Sequence, residues 1–207
     1  MTMSFTKKDF KAMQTPGLEE RMEAIQTQIQ PKFRQIGEGL ATYLSAKTGD
    51  EMFLHIARHA RRSVNPPDST WLAVANNKRG YKKHPHFQVG IWDEYVFIWL
   101  AFIYETENRQ IVVHNFLENL DTLKNLPANF SISLDHTEKP TSLVQNTDLT
   151  KALERFRDVK KGEFLVGRIF QPGDAALKNK TAFTKTLEET VDLLLPLYQM
   201  SFEMQEI

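Results

Sequence analysis

Ten consecutive apolar residues, 95–104, lie near the middle of this chain of 207 residues. The run is about half as long as a membrane-spanning helix requires. Just before it, residues 86–92 alternate between apolar and other side chains, and only Asp93 and Glu94 separate the two segments. This pattern predicts two antiparallel strands joined by a tight turn. The second strand is apolar on both faces, so it is central and covered on both sides by helices, other parts of the chain or a second subunit.

The remaining hydrophobic periodicities predict helices and strands without strict β-α-β alternation. After a short opening turn, the predicted helices are 18–30, 31–47, 109–126, 147–162 and 181–198. The further predicted strands are 70–75, 130–134 and 163–170, while 52–62 is ambiguous and is interpreted here as a strand. We therefore expect an α+β fold with an antiparallel or mixed β-sheet of about five to six strands and helices packed on it.

Composition limits the class of protein further. The absence of cysteine excludes disulfides, thiolate metal sites and cysteine nucleophiles. No internal repeat or linker marks a boundary, so residues 1–207 are expected to form a single domain. The polar start of the chain does not resemble a signal peptide, and we expect a cytoplasmic protein that does not enter a membrane. Phosphate-loop, dinucleotide-binding and serine-hydrolase motifs are missing as well.

Charge is distributed unevenly along a chain whose net charge is zero. Segment 55–86 carries seven Lys or Arg residues and one acid, a local charge of +6, whereas the part that follows is acidic. Clustered bases and an aromatic ring suit phosphate groups and a stacked base. The predicted anion-binding residues are Arg58, Arg61, Arg62, Lys78, Arg79, Tyr81, Lys82 and Lys83. The alternative is that these bases are only solvated loop charges, because nothing in the sequence shows that they converge.

Histidines in the same segment are the candidates for acid–base chemistry. His55 and His59 could share a metal only on a helix, and the strand interpretation separates them, so no metal site is predicted. Either one could act as a general base beside the cations. A second pair, His84 and His86, stands at the mouth of a strand, where a surface role is expected. Asp93 and Glu94 are interpreted as a solvated turn.

Three long blocks around these residues resemble the YktB-like family of uncharacterised bacterial proteins. The blocks are HARRSVNPPDSTWLA at 59–73, NKRGYKKHPHFQVGIW at 77–92 and VFIWLAFIYE at 96–105. The similarity covers nearly the whole chain, and it implies an α+β fold and a cytosolic protein. It implies no activity, cofactor or site residue.

Three hypotheses for function follow from the sequence. In the first, the protein recognises a phosphate-bearing small molecule or a nucleic acid through segment 55–86. In the second, it is a small-molecule enzyme that uses His55 or His59 in a cationic pocket. In the third, it is a dimeric scaffold without a small-molecule site, which predicts a large apolar patch.

Overall fold

The structure, a computed structural model, describes residues 4–203. The helices are α1 (Lys7–Gln14), α2 (Leu18–Ala24), α3 (Gln30–Thr48), α4 (Arg109–Glu118), α5 (Leu120–Lys124), α6 (Leu149–Asp158) and α7 (Lys180–Met200). The strands are β1 (Phe53–Ile56), β2 (Ser69–Ala75), β3 (His86–Trp92), β4 (Val96–Phe102), β5 (Ser131–Ser133), β6 (Ser142–Leu143) and β7 (Phe164–Phe170). Within the described residues, no helix is both long enough and apolar enough to cross a membrane.

A single sheet contains the seven strands of the described chain in the order β1-β2-β3-β4-β7-β5-β6. Every neighbouring pair is antiparallel. The α+β prediction is therefore confirmed, and the sheet has one strand more than expected because the two-residue β6 carries no sequence pattern. β4 is the central strand, and all of its residues are buried, as its apolar run predicts.

The first face of the sheet carries the helices and the main hydrophobic core. Alternate residues of the central strands, such as Phe87, Val89 and Leu100, are fully buried there against α3 and α7. Gly37 lets α3 lie close to β1, because a methyl group at this position would collide with the side chain of Leu54. Burial of this one face supplies most of the apolar area that stabilises the fold.

The second face carries a smaller apolar cluster, built from strand residues and the turn residue Tyr95. Helices contribute none of its buried residues. Connections cover this face instead: Tyr95 donates a hydrogen bond to the carbonyl of Lys139, and Tyr81 accepts one from the Trp71 indole. The cover over β4 therefore comes from helices on one side and from loops of the same chain on the other.

Two sequence predictions near the amino end need correction. The expected opening turn is the helix α1, where Thr6 and Asp9 form a capping box. The two helices predicted on either side of Pro31 are continuous, because a π-helical turn, Ile25–Ile29, joins α2 directly to α3. Pro31 still lies in the first turn of α3, where its missing N–H leaves no hydrogen bond unmade.

The predicted strand 52–62 is much shorter in the structure. β1 ends at Ile56, and His59 adopts a left-handed backbone conformation with φ of 50°. The chain then leaves the sheet and forms a connection that reaches β2 at Ser69. His55 and His59 therefore do not lie on one strand.

Candidate functional site

A large cavity lies along the free edge of β1, between α3 and the connection from β2 to β3. Its volume is about 1180 Å³, and it is open to solvent. The residues around it are Gln30, Arg34, Glu38, Leu54, His55, Ile56, Arg58, Asn77, Lys78, Arg79, Gly80, Tyr81, Lys82, Lys83, His84 and Glu105. We call this space the basic cavity.

Positive charge dominates the wall of the basic cavity, which contains six Lys or Arg residues and two Glu residues. Two lysines form ion pairs: Lys82 with Glu105 at 3.2 Å and Lys83 with Glu107 at 2.8 Å. The other four cations are exposed and have no acidic partner within 4.0 Å among residues 4–203; they are Arg34, Arg58, Lys78 and Arg79. An anion in the cavity would therefore meet several cations that are not already neutralised.

The connection between β2 and β3 brings these bases together by folding back over the second face. The ring Nε2 of His55 donates to the carbonyl of Asn77 at 2.9 Å, and the hydroxyl of Tyr81 accepts from Trp71 at 3.1 Å. Arg58 therefore lines the same cavity as Lys78 and its neighbours. The sequence alone does not show this convergence, because it depends on how the connection folds back.

Tyr81 belongs to the wall of the basic cavity and is largely enclosed. Its ring packs against His55 and against His86, with ring centroids 5.6 and 4.8 Å away. Burial raises the pKa of its hydroxyl above the ordinary value, so the phenol is neutral at physiological pH.

Arg61 and Arg62, which were also predicted to bind anions, do not line the basic cavity. Arg62 donates a long hydrogen bond of 3.4 Å to the carbonyl of Pro66 within its own loop. Nearby, His59 bonds to the hydroxyl of Thr70 at 3.1 Å. Burial and the charge of Arg62 lower the pKa of His59 to about 4, so this imidazole is neutral at physiological pH.

The surface role predicted for His86 is wrong. Its side chain is fully buried on the second face, where Nδ1 donates to the carbonyl of His84 and Nε2 accepts from the amide of Gln88. Burial lowers the pKa of His86 to about 3. Both ring nitrogens are satisfied in the neutral form, so His86 is a structural residue beneath the loops.

A histidine–carboxylate pair, His136 and Glu163, lies on the same face and was not among the residues predicted from the sequence. Glu163 is 2% exposed, and its carboxylate accepts hydrogen bonds from the backbone N–H and the ring Nδ1–H of His136, both at 2.8 Å. A third bond comes from the backbone of Tyr104. Because the Nδ1–H of His136 donates to the carboxylate, Nε2 is the ring nitrogen that remains for other contacts, as in histidines whose ring a carboxylate orients.

Asp135, His136 and Glu163 also have potential metal-ligand atoms within 4.8 Å of one another. However, N–H donors already surround the Glu163 carboxylate, and Asp135 accepts two hydrogen bonds from Thr137. These contacts favour a role for the carboxylates in orienting the 134–141 connection. No sequence pattern could reveal the pair, because His136 and Glu163 are 27 positions apart.

Comparison with known proteins identifies the family. A family model described as a domain of unknown function, DUF1054, matches residues 5–198. A UPF0637 protein of Listeria monocytogenes serotype 4b is 62% identical over 96% of this chain and 98% of its own length. UPF0637 proteins of Oceanobacillus iheyensis and Shouchella clausii are 55% and 54% identical over 98% and 95% of this chain, and over 98% and 94% of their own lengths. The resemblance seen in the sequence is thus confirmed, and the chain belongs to the DUF1054 family of bacterial UPF0637 proteins, whose function is unknown.

Proposed function

We infer that the protein binds a small phosphate-bearing molecule in the basic cavity. The observation that carries this inference is the presence of Arg34, Arg58, Lys78 and Arg79 around one cavity without acidic partners. A polyphosphate group entering the cavity would gain charge-assisted hydrogen bonds from several of them. The cytosolic location expected from the sequence is part of this proposal, because it would give access to phosphorylated metabolites.

A small molecule fits the cavity better than a nucleic acid. Double-stranded DNA is held by a line of phosphate contacts, often six to ten, along an extended basic surface. Here the net charge of the chain is zero, and Arg61 and Arg62 lie outside the cavity instead of continuing it. The volume of about 1180 Å³ is comparable with that of pockets for small ligands.

The test is a titration with sodium tripolyphosphate, followed by calorimetry and by thermal unfolding. We expect binding that weakens when salt is raised from about 0.05 M to about 0.15 M, because the cations are exposed. Arg58→Ala and Arg79→Ala should each weaken binding by about tenfold, the value of one charge-assisted hydrogen bond. The matched control is Arg62→Ala, which removes an arginine of the same segment outside the cavity and should bind as the wild type does.

Two results would contradict the proposal. In the first, tripolyphosphate does not bind at low salt. In the second, Arg62→Ala weakens binding as much as Arg58→Ala does, which would indicate only a general effect of positive charge.

A second candidate function, acid–base catalysis at a separate place on the second face, is favoured by His136 and Glu163, which do not line the basic cavity. Of the histidines proposed as a general base, His55 bonds to a carbonyl and His59 to a hydroxyl, whereas His136 has a buried carboxylate on its ring. Turnover of a phosphate ester that disappears in both His136→Gln and Glu163→Gln, with tripolyphosphate affinity unchanged, would support this candidate. Equal turnover in the wild type and both variants would exclude this pair from the chemistry.

A further inference from the structure

The free edge of β1 presents unpaired backbone groups to the basic cavity. β1 is the outermost strand on its side of the sheet and pairs only with β2. The N–H of Ala57 donates to the carbonyl of Trp71 at 2.9 Å, so residues 57 and 71 form a hydrogen-bonded antiparallel pair. In such a ladder every second residue points its N–H and C=O away from its partner strand. Leu54 and Ile56 occupy these positions.

Leu54 and Ile56 both line the basic cavity. Within residues 4–203, neither backbone has a hydrogen-bond partner on the side away from β2. Helix α3 bounds the cavity on one side of this edge with Arg34, and the connection that carries Lys78 and Arg79 bounds it on the other. A ligand in the cavity would therefore meet backbone donors and acceptors on one wall and cations around them.

Each outward-facing residue offers one donor and one acceptor side by side. A nucleobase has the complementary pattern along its edge; adenine, for example, has an amino donor beside ring-nitrogen acceptors. Arg34 and Arg58 both line the cavity, and their guanidinium groups offer planar surfaces on which such a base can stack. Sugar phosphates and inorganic polyphosphates lack a planar group with this pattern.

The edge is too short to favour a peptide strand. Backbone pairing of an added strand gains affinity from a series of main-chain hydrogen bonds. Here only Leu54 and Ile56 face outward: the N–H of Met52 is already bonded to Ser45, and the chain turns away at His59. Two residues are enough for a base but provide little for an extended chain.

We propose that the basic cavity binds a nucleotide, with its base on the backbone of Leu54 and Ile56 and its phosphates on the surrounding cations. This inference rests on the proposed phosphate binding and adds the class of ligand. Hydrogen bonds to the backbone depend on the donors and acceptors along the edge of the base, so nucleotides with different bases should differ in affinity. The phosphate contacts should not distinguish among them.

The first experiment compares ATP, GTP, CTP and UTP with tripolyphosphate by calorimetry on the full chain. Tripolyphosphate carries at least as much charge as a nucleoside triphosphate, so tighter binding of a nucleotide reports the base. We expect at least one nucleotide to bind about tenfold more tightly, the value of two hydrogen bonds. If tripolyphosphate binds as tightly as all four nucleotides, the nucleotide inference is wrong and phosphate binding stands. If neither tripolyphosphate nor any nucleotide binds, the proposed phosphate binding and the nucleotide inference are both wrong. A hexaglutamate peptide that binds more tightly than the nucleotides would also overturn the nucleotide inference.

The second experiment removes one outward N–H. Leu54→Pro has no N–H, and proline is tolerated on an edge strand where that group faces away from the sheet. In the wild type, the preferred nucleotide should bind more tightly than tripolyphosphate, and we call this ratio of affinities the nucleotide advantage. We expect Leu54→Pro to reduce the nucleotide advantage by about three- to tenfold. Its affinity for tripolyphosphate, which also reports folding, should be unchanged. The control Leu54→Ala shortens the same side chain but keeps the N–H, and it should keep the advantage. A Leu54→Pro variant with the full advantage would refute the backbone contact.

An NMR measurement on the wild type provides the answer even if Leu54→Pro does not fold. With nitrogen-15 leucine and isoleucine, the amide signals of Leu54 and Ile56 should shift when the preferred nucleotide is added. They should shift much less with tripolyphosphate at saturation. Equal shifts with both ligands, or none with the nucleotide, would overturn the inference.

Discussion

Replacing His86 should change how the stability of the protein depends on pH. His86 is fully buried, and its two ring nitrogens are satisfied only when the imidazole is neutral. Its pKa of about 3 compares with a value near 6.5 in the unfolded chain. Between these values the unfolded state binds the proton and the folded state does not. The free energy of unfolding therefore falls as the pH drops below about 6.5, and this loss is complete near pH 3.

The size of the effect follows from the two pKa values. One pH unit corresponds to about 1.4 kcal/mol for each proton bound on unfolding. At pH 5 the unfolded histidine is almost fully protonated and the folded one is almost fully neutral, so His86 lowers the stability by about 2 kcal/mol relative to pH 8. This is a large part of the stability of a typical domain.

Urea unfolding of the wild type and His86→Gln at pH 8, 7, 6 and 5 measures the effect. Glutamine cannot be protonated, so the variant should lose about 2 kcal/mol less than the wild type between pH 8 and pH 5, whatever its stability at pH 8. His84→Gln is the matched control; it leaves His86 in place and should keep the wild-type pH dependence. Identical pH dependence of His86→Gln and the wild type would refute the burial of a neutral His86.

Three further predictions concern strand packing, a buried charge and the ordering of a connection. Gly167→Ala would push a methyl group into the backbone of β4 and should lower the free energy of unfolding, measured in urea, by about 3 kcal/mol. The control Gly39→Ala lies at an open helical position and should raise the free energy of unfolding by about 0.5–1 kcal/mol. Equal effects of the two substitutions would contradict the close strand packing. The ammonium group of Lys32 lies 2.6 Å from the buried carboxylate of Asp9, and Lys32→Met should lower the free energy of unfolding by about 3 kcal/mol. Adding Asp9→Asn to the same chain should restore part of this stability. If it restores none, the unpaired charge is not the cause of the loss. Glu163→Gln should speed amide hydrogen exchange in residues 134–141 by about tenfold, because a carboxylate that accepts a hydrogen bond from their backbone is lost. Unchanged exchange would show that this carboxylate does not hold the 134–141 connection in place.

The central sheet was predictable because its signals are local. The alternation of β3, the apolar run that contains β4 and the short turn between the two strands determine the hairpin and its register. Residues after Ile56 were misassigned because the periodicity of a short strand does not show where the chain leaves the sheet. The extra strand β6 has only two residues, too few for any pattern.

The candidate site was predictable only in part. Segment 55–86 supplies most of the cations of the basic cavity, as its charge indicates. The fold decides which of them converge: Arg61 and Arg62 are excluded, and Arg34 is added from α3, where it looks like any exposed helical arginine. His136 and Glu163 meet because β5 pairs with β7, with Ser133 opposite Leu165, a contact that one sequence does not reveal.

The order of the strands has a consequence for synthesis on the ribosome. β4, the most apolar strand, pairs with β7, so Phe102 meets Phe164 and Val96 meets Phe170. When β4 leaves the ribosome, its partner on that side is still untranslated, and at about 5–20 residues per second it follows several seconds later. During that interval an apolar strand edge is open to pairing with other nascent chains. The middle of the sheet is therefore open to wrong pairing until β7 has been synthesised.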